Sequence, residues 1–291
     1  MRVEIMMVTY RNDYEFTAYT LRSIKKFGSG YAGITLVTEY RDYELFKPLA
    51  DQYNCTLRTY LPHPNKEFLH HMVTKCEADL WCPKGTEAVM HIDADCVFGE
   101  PFTMETFIHD GKPLLVREHF DDFKHHTNRI KWRTNIQNNL GFDCEWECMV
   151  RHPSVYLVDM YRRFRNHIED LHGYPFTAYT LLQRNEYPQT FSEFPDMGAF
   201  ILKFDADKYR IVTVAPTPGP FWADPKWKQF GLEPMPRNDR FEPIGERPYT
   251  VIYDMDTNPV KGDLINPIRY FWSRRGVTLE YRQQIEAMLK D

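Results

Sequence analysis

The sequence predicts an α/β fold, a mainly parallel sheet flanked by helices, running into a less regular C-terminal region. Three observations predict it. Short apolar runs alternate with amphipathic helical patterns over about the first ninety residues. The first run, Val3–Val8, is apolar apart from Glu4, as a strand covered on both faces is. The fourth run leads directly into Asp93-Ala94-Asp95, at the strand end where open α/β sheets place their ligand crevices.

The elements follow in order. Val3–Val8 is apolar apart from Glu4 and suits a first central strand. Thr9-Tyr10-Arg11-Asn12-Asp13 breaks it, and Asn12 or Asp13 can cap a helix over Tyr14–Phe27 that stops at Gly28. Gly33–Thr38 is a second strand. A helix over Asp42–Tyr53 follows, kinked or split by Pro48. Thr56–Leu61 is a third strand, Lys66–Leu80 a helix, and Ala88–Ile92 the fourth strand. Thr103 can cap a short helix, and Pro113–Arg117 is strand-like.

Beyond that the pattern weakens. His119–Glu147 reads as irregular, either a loop that closes over a ligand or a surface excursion, with Lys131 and Arg133 as possible contacts. Pro153–Leu171 reads as one amphipathic helix with Arg162, Arg163 and Arg165 on its polar side. Phe176–Leu181 repeats the hexapeptide Phe16–Leu21, but the flanks differ, so these are two similar helical segments. Glu193 and Asp196 precede Ala199–Leu202, read as a strand, and Val212–Ala215 is another. Phe221–Trp227 is an aromatic loop, and Leu279–Lys290 a closing helix.

Composition narrows the class. No apolar run approaches the length of a membrane span, and the N-terminus does not read as a secretory signal. The six cysteines lack a framework spacing and read as reduced thiols, so the expected location is cytoplasmic. A net charge of −5 argues against a chain devoted to coating nucleic acid. Cys144, Cys148 and His152 stand at four-residue spacing, but Pro153 breaks a helix there and no fourth zinc ligand is evident.

Residues i and i+2 of an extended chain share a face, so Asp93 and Asp95 are expected to project together. Two adjacent carboxylates repel, and a hard divalent cation, Mn²⁺ or Mg²⁺, relieves that repulsion while binding substrate phosphates. The stretch HIDADCVF, with Phe68–Lys75 and Ala78-Asp79 upstream, resembles the Asp-x-Asp signature and preceding helix of GT-A-fold nucleotide-sugar glycosyltransferases. The likeness covers roughly the first 120 residues well.

The resemblance implies a GT-A-like, Rossmann-like fold. Residues 1–118 would form a nucleotide-sugar-binding half, and 119–291 the sugar and acceptor side of the same catalytic domain. It implies a hexosyl- or pentosyltransferase in which Asp93 and Asp95 hold the metal against the diphosphate of a sugar nucleotide, a UDP-sugar first. Thr9, Tyr10 and Arg11 are expected at the nucleotide, with Thr38-Glu39 a weaker candidate, and Lys75 facing the diphosphate with His71 one turn earlier. Ala94 lies between the two aspartates, and Arg151 or His152 is available for sugar hydroxyls. Glu193, then Asp196, is the candidate acid/base. Asp254 or Asp256 is a guess for a third metal ligand, since no histidine follows His172.

The acceptor is expected to be a glycan precursor or, as in bacteriophage enzymes of this kind, a hydroxylated DNA base flipped from the duplex. For the latter, Arg133, the Arg162–Arg165 face and Arg274-Arg275 would meet phosphates. Alternatives are a sugar-nucleotide nucleotidyltransferase, disfavoured because VTYRNDYE has no glycine, and a non-catalytic nucleotide-sugar-binding protein.

Overall fold

Val3–Thr9 (β1) is buried along its whole length. Ile5 and Met7 pack on one face of the sheet, Met6 and Val8 on the other. That two-sided burial is why the strand carries no polar alternation. The computed structural model describes residues 1–94, 96–99, 101–123, 127–149, 153–184, 190–213, 250–252, 268–271, 283 and 286–290.

After β1 come Tyr14–Phe27 (α1), Gly33–Glu39 (β2), Tyr43–Gln52 (α2), Thr56–Tyr60 (β3), Glu67–Cys76 (α3), Ala78–Trp81 (α4), Ala88–His91 (β4) and Cys96–Phe98 (β5). The second half contributes Lys112–His119 (β6), Thr127–Leu140 (α5), Ser154–Leu157 (β7), Val158–His172 (α6), Phe176–Leu182 (α7), Glu193–Phe204 (α8), Arg210–Thr213 (β8), Thr250–Ile252 (β9) and Ile268–Phe271 (β10). The main sheet has the order β7-β4-β1-β2-β3, parallel except for β7, which pairs antiparallel with β4. Helices cover both faces. The fold class expected from the strand–helix alternation is therefore present: α/β, with a mainly parallel sheet.

Pro48 lies inside α2 without splitting it, and the helix expected over Lys66–Leu80 is divided into α3 and α4 at Glu77. Thr103 does cap a short helix, the 3₁₀ turn Met104–Thr106.

Three expectations are corrected in the second half. The stretch His119–Glu147 contains a four-turn helix, α5, whose Trp132, Ile136 and Leu140 are buried at four-residue spacing. Its dense polar residues mask that stripe. Pro153–Leu171 is not one helix. Ser154–Leu157 pairs with β4, placing Val155 opposite Met90 and Tyr156 opposite Val89, and α6 starts only at Val158. The ladder along β4 outweighs helical propensity here, and α6 then ends at Gly173, whose φ of 73° suits glycine. Finally, Ala199–Leu202 lies within the helix α8. Pro195 sits in that helix's first turn, where no backbone N–H is required, and Glu193 and Asp196 lie at its positive end. These helix-start signals were present in the sequence.

α8 sits tightly against the segment between α5 and β7: a Cβ added at Gly198 would lie 2.2 Å from the Cys148 Cβ, so only glycine permits the approach. β6 pairs in parallel with β8, and β5 pairs antiparallel with β10, which pairs with β9. Leu289 packs against Phe16 and Val97. No helix among the described residues is long and apolar enough to cross a membrane. The stretch Phe221–Trp227, the pair Asp254 and Asp256, and Arg274-Arg275 lie outside the described residues.

Candidate active site at the sheet switch point

The chain runs outward from β1 through β2 to β3, then returns to place β4 on the other side of β1. The C-terminal ends of β1 and β4 therefore flank a topological switch point, where such sheets open a crevice. Thr9-Tyr10-Arg11 leaves β1 there, and Asp93 follows β4.

Ile92 still donates its N–H to the Met6 carbonyl at 3.2 Å, but the Cys96 N–H donates to the Asp93 carbonyl at 3.1 Å. The chain thus turns after Ile92, and the extended geometry expected across Asp93 and Ala94 is replaced by a turn. Two α1 hydroxyls pin it: Thr20 Oγ1 donates to the buried Ala94 carbonyl at 2.6 Å, and Ser23 Oγ accepts the Phe98 N–H at 3.0 Å. Asp95 and Arg151 lie outside the described residues, as does His152.

Behind Asp93 stands a buried ion-pair cluster. Lys75 Nζ donates to Asp93 Oδ1 at 2.7 Å and to Glu193 Oε1 at 2.9 Å, and lies 4.8 Å from the centre of the Phe194 ring. The Lys75 and Glu193 side chains are 7% and 6% exposed, whereas Asp93 is 33% exposed. Burial alone would push the ammonium toward its neutral form. Asp93 and Glu193 outweigh it and hold Lys75 charged, well above the usual lysine range. Lys75 is thus neither a solvated helix lysine nor alone at the crevice. His91, on β4, hydrogen-bonds Tyr161 Oη at 2.6 Å and packs edge-on against Phe194, backing the same cluster.

Asp196, one turn along α8, is separated from the edge. Its Oδ2 accepts from Asn139 Nδ2 at 2.9 Å and from the Ser192 N–H at 3.4 Å, and Tyr179 Oη donates to Asn139 Oδ1 at 2.8 Å. Burial pushes the carboxyl up to about 8, the hydrogen bonds from Asn139 and Ser192 pull it back only in part, and the Glu193 charge adds to the rise. Asp196 therefore keeps its proton at neutral pH, which suits a hydrogen-bond donor better than a base.

The sign of the pH effect follows. Between about 3.8 and about 8 the unfolded chain releases a proton that the folded chain keeps, so stability falls as pH rises through that window. Asp196→Asn lacks that proton. It is expected to be more stable than wild type by on the order of a few kcal/mol at pH 8.5, and to approach wild type near pH 4.5. Urea titrations at both pH values measure the difference; a wild-type–variant offset independent of pH would rule out a neutral Asp196.

The predicted nucleotide residues are placed as follows. Thr9 is fully buried, its hydroxyl 2.7 Å from Thr17 Oγ1, so its side chain faces α1. Tyr10 is half-buried at the crevice. Arg11 is clamped to Asp42: its backbone N–H donates to Oδ2 at 2.9 Å and Nε to Oδ1 at 2.7 Å, with the guanidinium still half exposed. The loops after β1 and β2 are thereby tied together. Thr38 and Glu39 are buried, and Glu39 pairs with Arg41.

Of the basic candidates, Arg133 forms a two-pronged pair with Asp143, Arg163 pairs with Asp205, and Arg165 pairs with Asp79. Thr20, Asp42, His91, Asn139 and Phe194 were not singled out from sequence. A buried hydroxyl on an amphipathic helix was the one available signal, and it applies to Thr20.

Asp93 has the hard oxygen donor and partial exposure that a divalent cation requires. Among the described residues no three His, Cys, Asp or Glu side chains gather around one point, so the described chain offers Asp93 as one ligand of such a site. Fold and site together define a parallel α/β chain whose switch-point edge carries a carboxylate backed by a buried lysine.

A scan against protein-family models finds no matching family, and no curated protein matches the chain. Among solved structures it is similar to 4-diphosphocytidyl-2C-methyl-D-erythritol synthase from Anaerococcus prevotii DSM 20548, at 13% identity and a TM-score of 0.42 over 73% of this chain and 86% of that one. Mouse xyloside xylosyltransferase 1 gives 12% and 0.37 over 73% and 85%. The glycosyltransferase GlyE of Streptococcus pneumoniae TIGR4 gives 10% and 0.38 over 73% and 45%.

Proposed function

We propose that the chain is a metal-dependent glycosyltransferase that moves a sugar from a nucleotide-diphosphate sugar, a UDP-sugar first, to an acceptor hydroxyl. The observation that carries this reading is the position of Asp93: beside the loop after β1, at the switch point, paired to a lysine that burial has not neutralised. In this reading Asp93 and Asp95 hold Mn²⁺ or Mg²⁺. When bound, the metal stabilises the negative charge gathering on the departing diphosphate. Lys75 keeps a fixed positive charge at the same edge.

Tyr10 stacks on the base, and Arg11 presents the outer side of its clamped guanidinium to the nucleotide. Glu193 holds Lys75 and orients the acceptor hydroxyl or takes its proton; Asp196, protonated at neutral pH, supports the α8 terminus by accepting the Ser192 N–H. Arg151 reaches sugar hydroxyls. Residues 1–118 hold the nucleotide-sugar, and 119–291 form the sugar and acceptor side. A glycan-type acceptor stays first and a modified DNA base second: Arg133, Arg163 and Arg165 are each engaged by a carboxylate, while Arg162 is exposed.

The test is a thermal-shift screen of sugar nucleotides, with and without Mn²⁺, on wild type and Asp95→Ala, followed by assay of nucleoside diphosphate release. One donor at about 100 times its Kd should raise Tm by roughly 5 °C, only with Mn²⁺ and only when Asp95 is present. Binding that ignores both the metal and Asp95 would overturn the reading. Binding without turnover would leave a nucleotide-sugar-binding protein.

A further inference from the structure

A cation held by Asp93 meets a rival on the same side chain, because the Lys75 ammonium already takes Asp93 Oδ1 at 2.7 Å. We propose that Lys75 and the divalent cation compete for Asp93, so that the Lys75–Asp93 pair is a latch which the cation opens, leaving Lys75 on Glu193. The inference rests on the glycosyltransferase reading only in taking Asp93 and Asp95 as the cation's ligands.

The cluster is built unevenly in a way that suits a latch. Lys75 and Glu193 form its buried half, and the Phe194 ring lies 4.8 Å from the ammonium. Asp93 is the exposed half, on a turn pinned through Ala94 by Thr20. When Asp93 turns to a cation, the ammonium keeps a carboxylate and an aromatic face, so its charge stays compensated. Without a cation, Lys75 compensates the partly exposed Asp93 carboxylate on that turn. An ammonium and a divalent ion sharing one carboxylate repel each other, so each weakens the other's hold. Lys75 is thus a positioning residue that acts on the cation through Asp93.

The competition has a signature that damage to the fold does not produce. Removing the Lys75 charge should tighten cation binding. Removing the Glu193 charge, with Lys75 retained, should weaken it, because the ammonium then leans on the remaining carboxylate of the pair. The experiment is a titration with Mn²⁺ alone, free ion read by electron paramagnetic resonance, on full-length wild type, Glu193→Gln, Lys75→Met/Glu193→Gln and Asp95→Asn. The double variant exchanges a buried ion pair for neutral groups and so avoids stranding a charge. Should it not fold, Lys75→Gln/Glu193→Gln takes its place.

We expect the double variant to bind Mn²⁺ at least about tenfold more tightly than wild type, and Glu193→Gln at least about threefold more weakly. The latch is overturned if the double variant binds no more tightly than wild type, or if both variants shift in the same direction. If Asp95→Asn loses Mn²⁺ while the Lys75 variant stays at wild-type affinity, the latch alone fails. If wild type binds no Mn²⁺, or binds it regardless of Asp95, the metal site itself fails and the latch with it.

Discussion

If the chain acts as proposed, the Asp93→Asn variant is expected to lose donor-sugar turnover by on the order of a thousand-fold while keeping its fold. The amide has the size of the carboxylate and still offers Lys75 an acceptor oxygen, so the turn pinned by Thr20 keeps its geometry. What disappears is the charge. Lys75 retains the more deeply buried Glu193, and Asp93 is itself one-third exposed, so little stability depends on its ionisation. Activity and stability should therefore separate: kcat collapses, Mn²⁺ dependence is lost, and Tm stays within about 2 °C of wild type. Nucleoside diphosphate release and a melting curve on the same preparation make the test. Turnover within a few-fold of wild type would remove Asp93 from the chemistry.

The second large effect runs the other way and falls on stability. Lys75→Met removes the ammonium that bridges two carboxylates and leaves Glu193, only 6% exposed, without it. Breaking a buried pair from one side costs about 3–5 kcal/mol, because the partner's charge is stranded away from water. For a chain of this size that corresponds to a drop in Tm of roughly 10 °C. Adding Glu193→Gln should recover most of it, since an apolar–amide pair has no charge to strand. A double-mutant cycle by thermal and urea unfolding reads the coupling directly. A Lys75→Met protein as stable as wild type would mean that the ammonium is solvated and that the cluster is not the buried network described above.

The two expectations contrast because Asp93 and Glu193, although both bound to one lysine, sit in different surroundings. One belongs to a strand-end turn at the crevice, the other to the buried start of α8. Sequence reading weighed Glu193 as a catalytic acid or base and Lys75 as a phosphate contact, each by itself. Neither proposal contained the other residue, which lies 118 positions away in the chain.

Much of the first half was legible from sequence. Strand and helix are short-range patterns, and continuous apolar runs separated by amphipathic stretches specify a covered parallel sheet with little help from distant residues. The position of Asp93 just beyond a strand end was legible for the same reason. Ser154–Leu157 is a strand because β4 offers it a ladder that local preference does not encode. Ala199–Leu202 is helical for a local reason, the Glu193-Phe194-Pro195-Asp196 helix start, which its apolar run obscures. Only the folded chain decided which groups met. Arg11 was committed to Asp42, Lys75 to Asp93 and Glu193, and Asp196 was buried deeply enough to keep its proton. Partner choice and desolvation depend on residues far apart in the chain, and no local pattern encodes them.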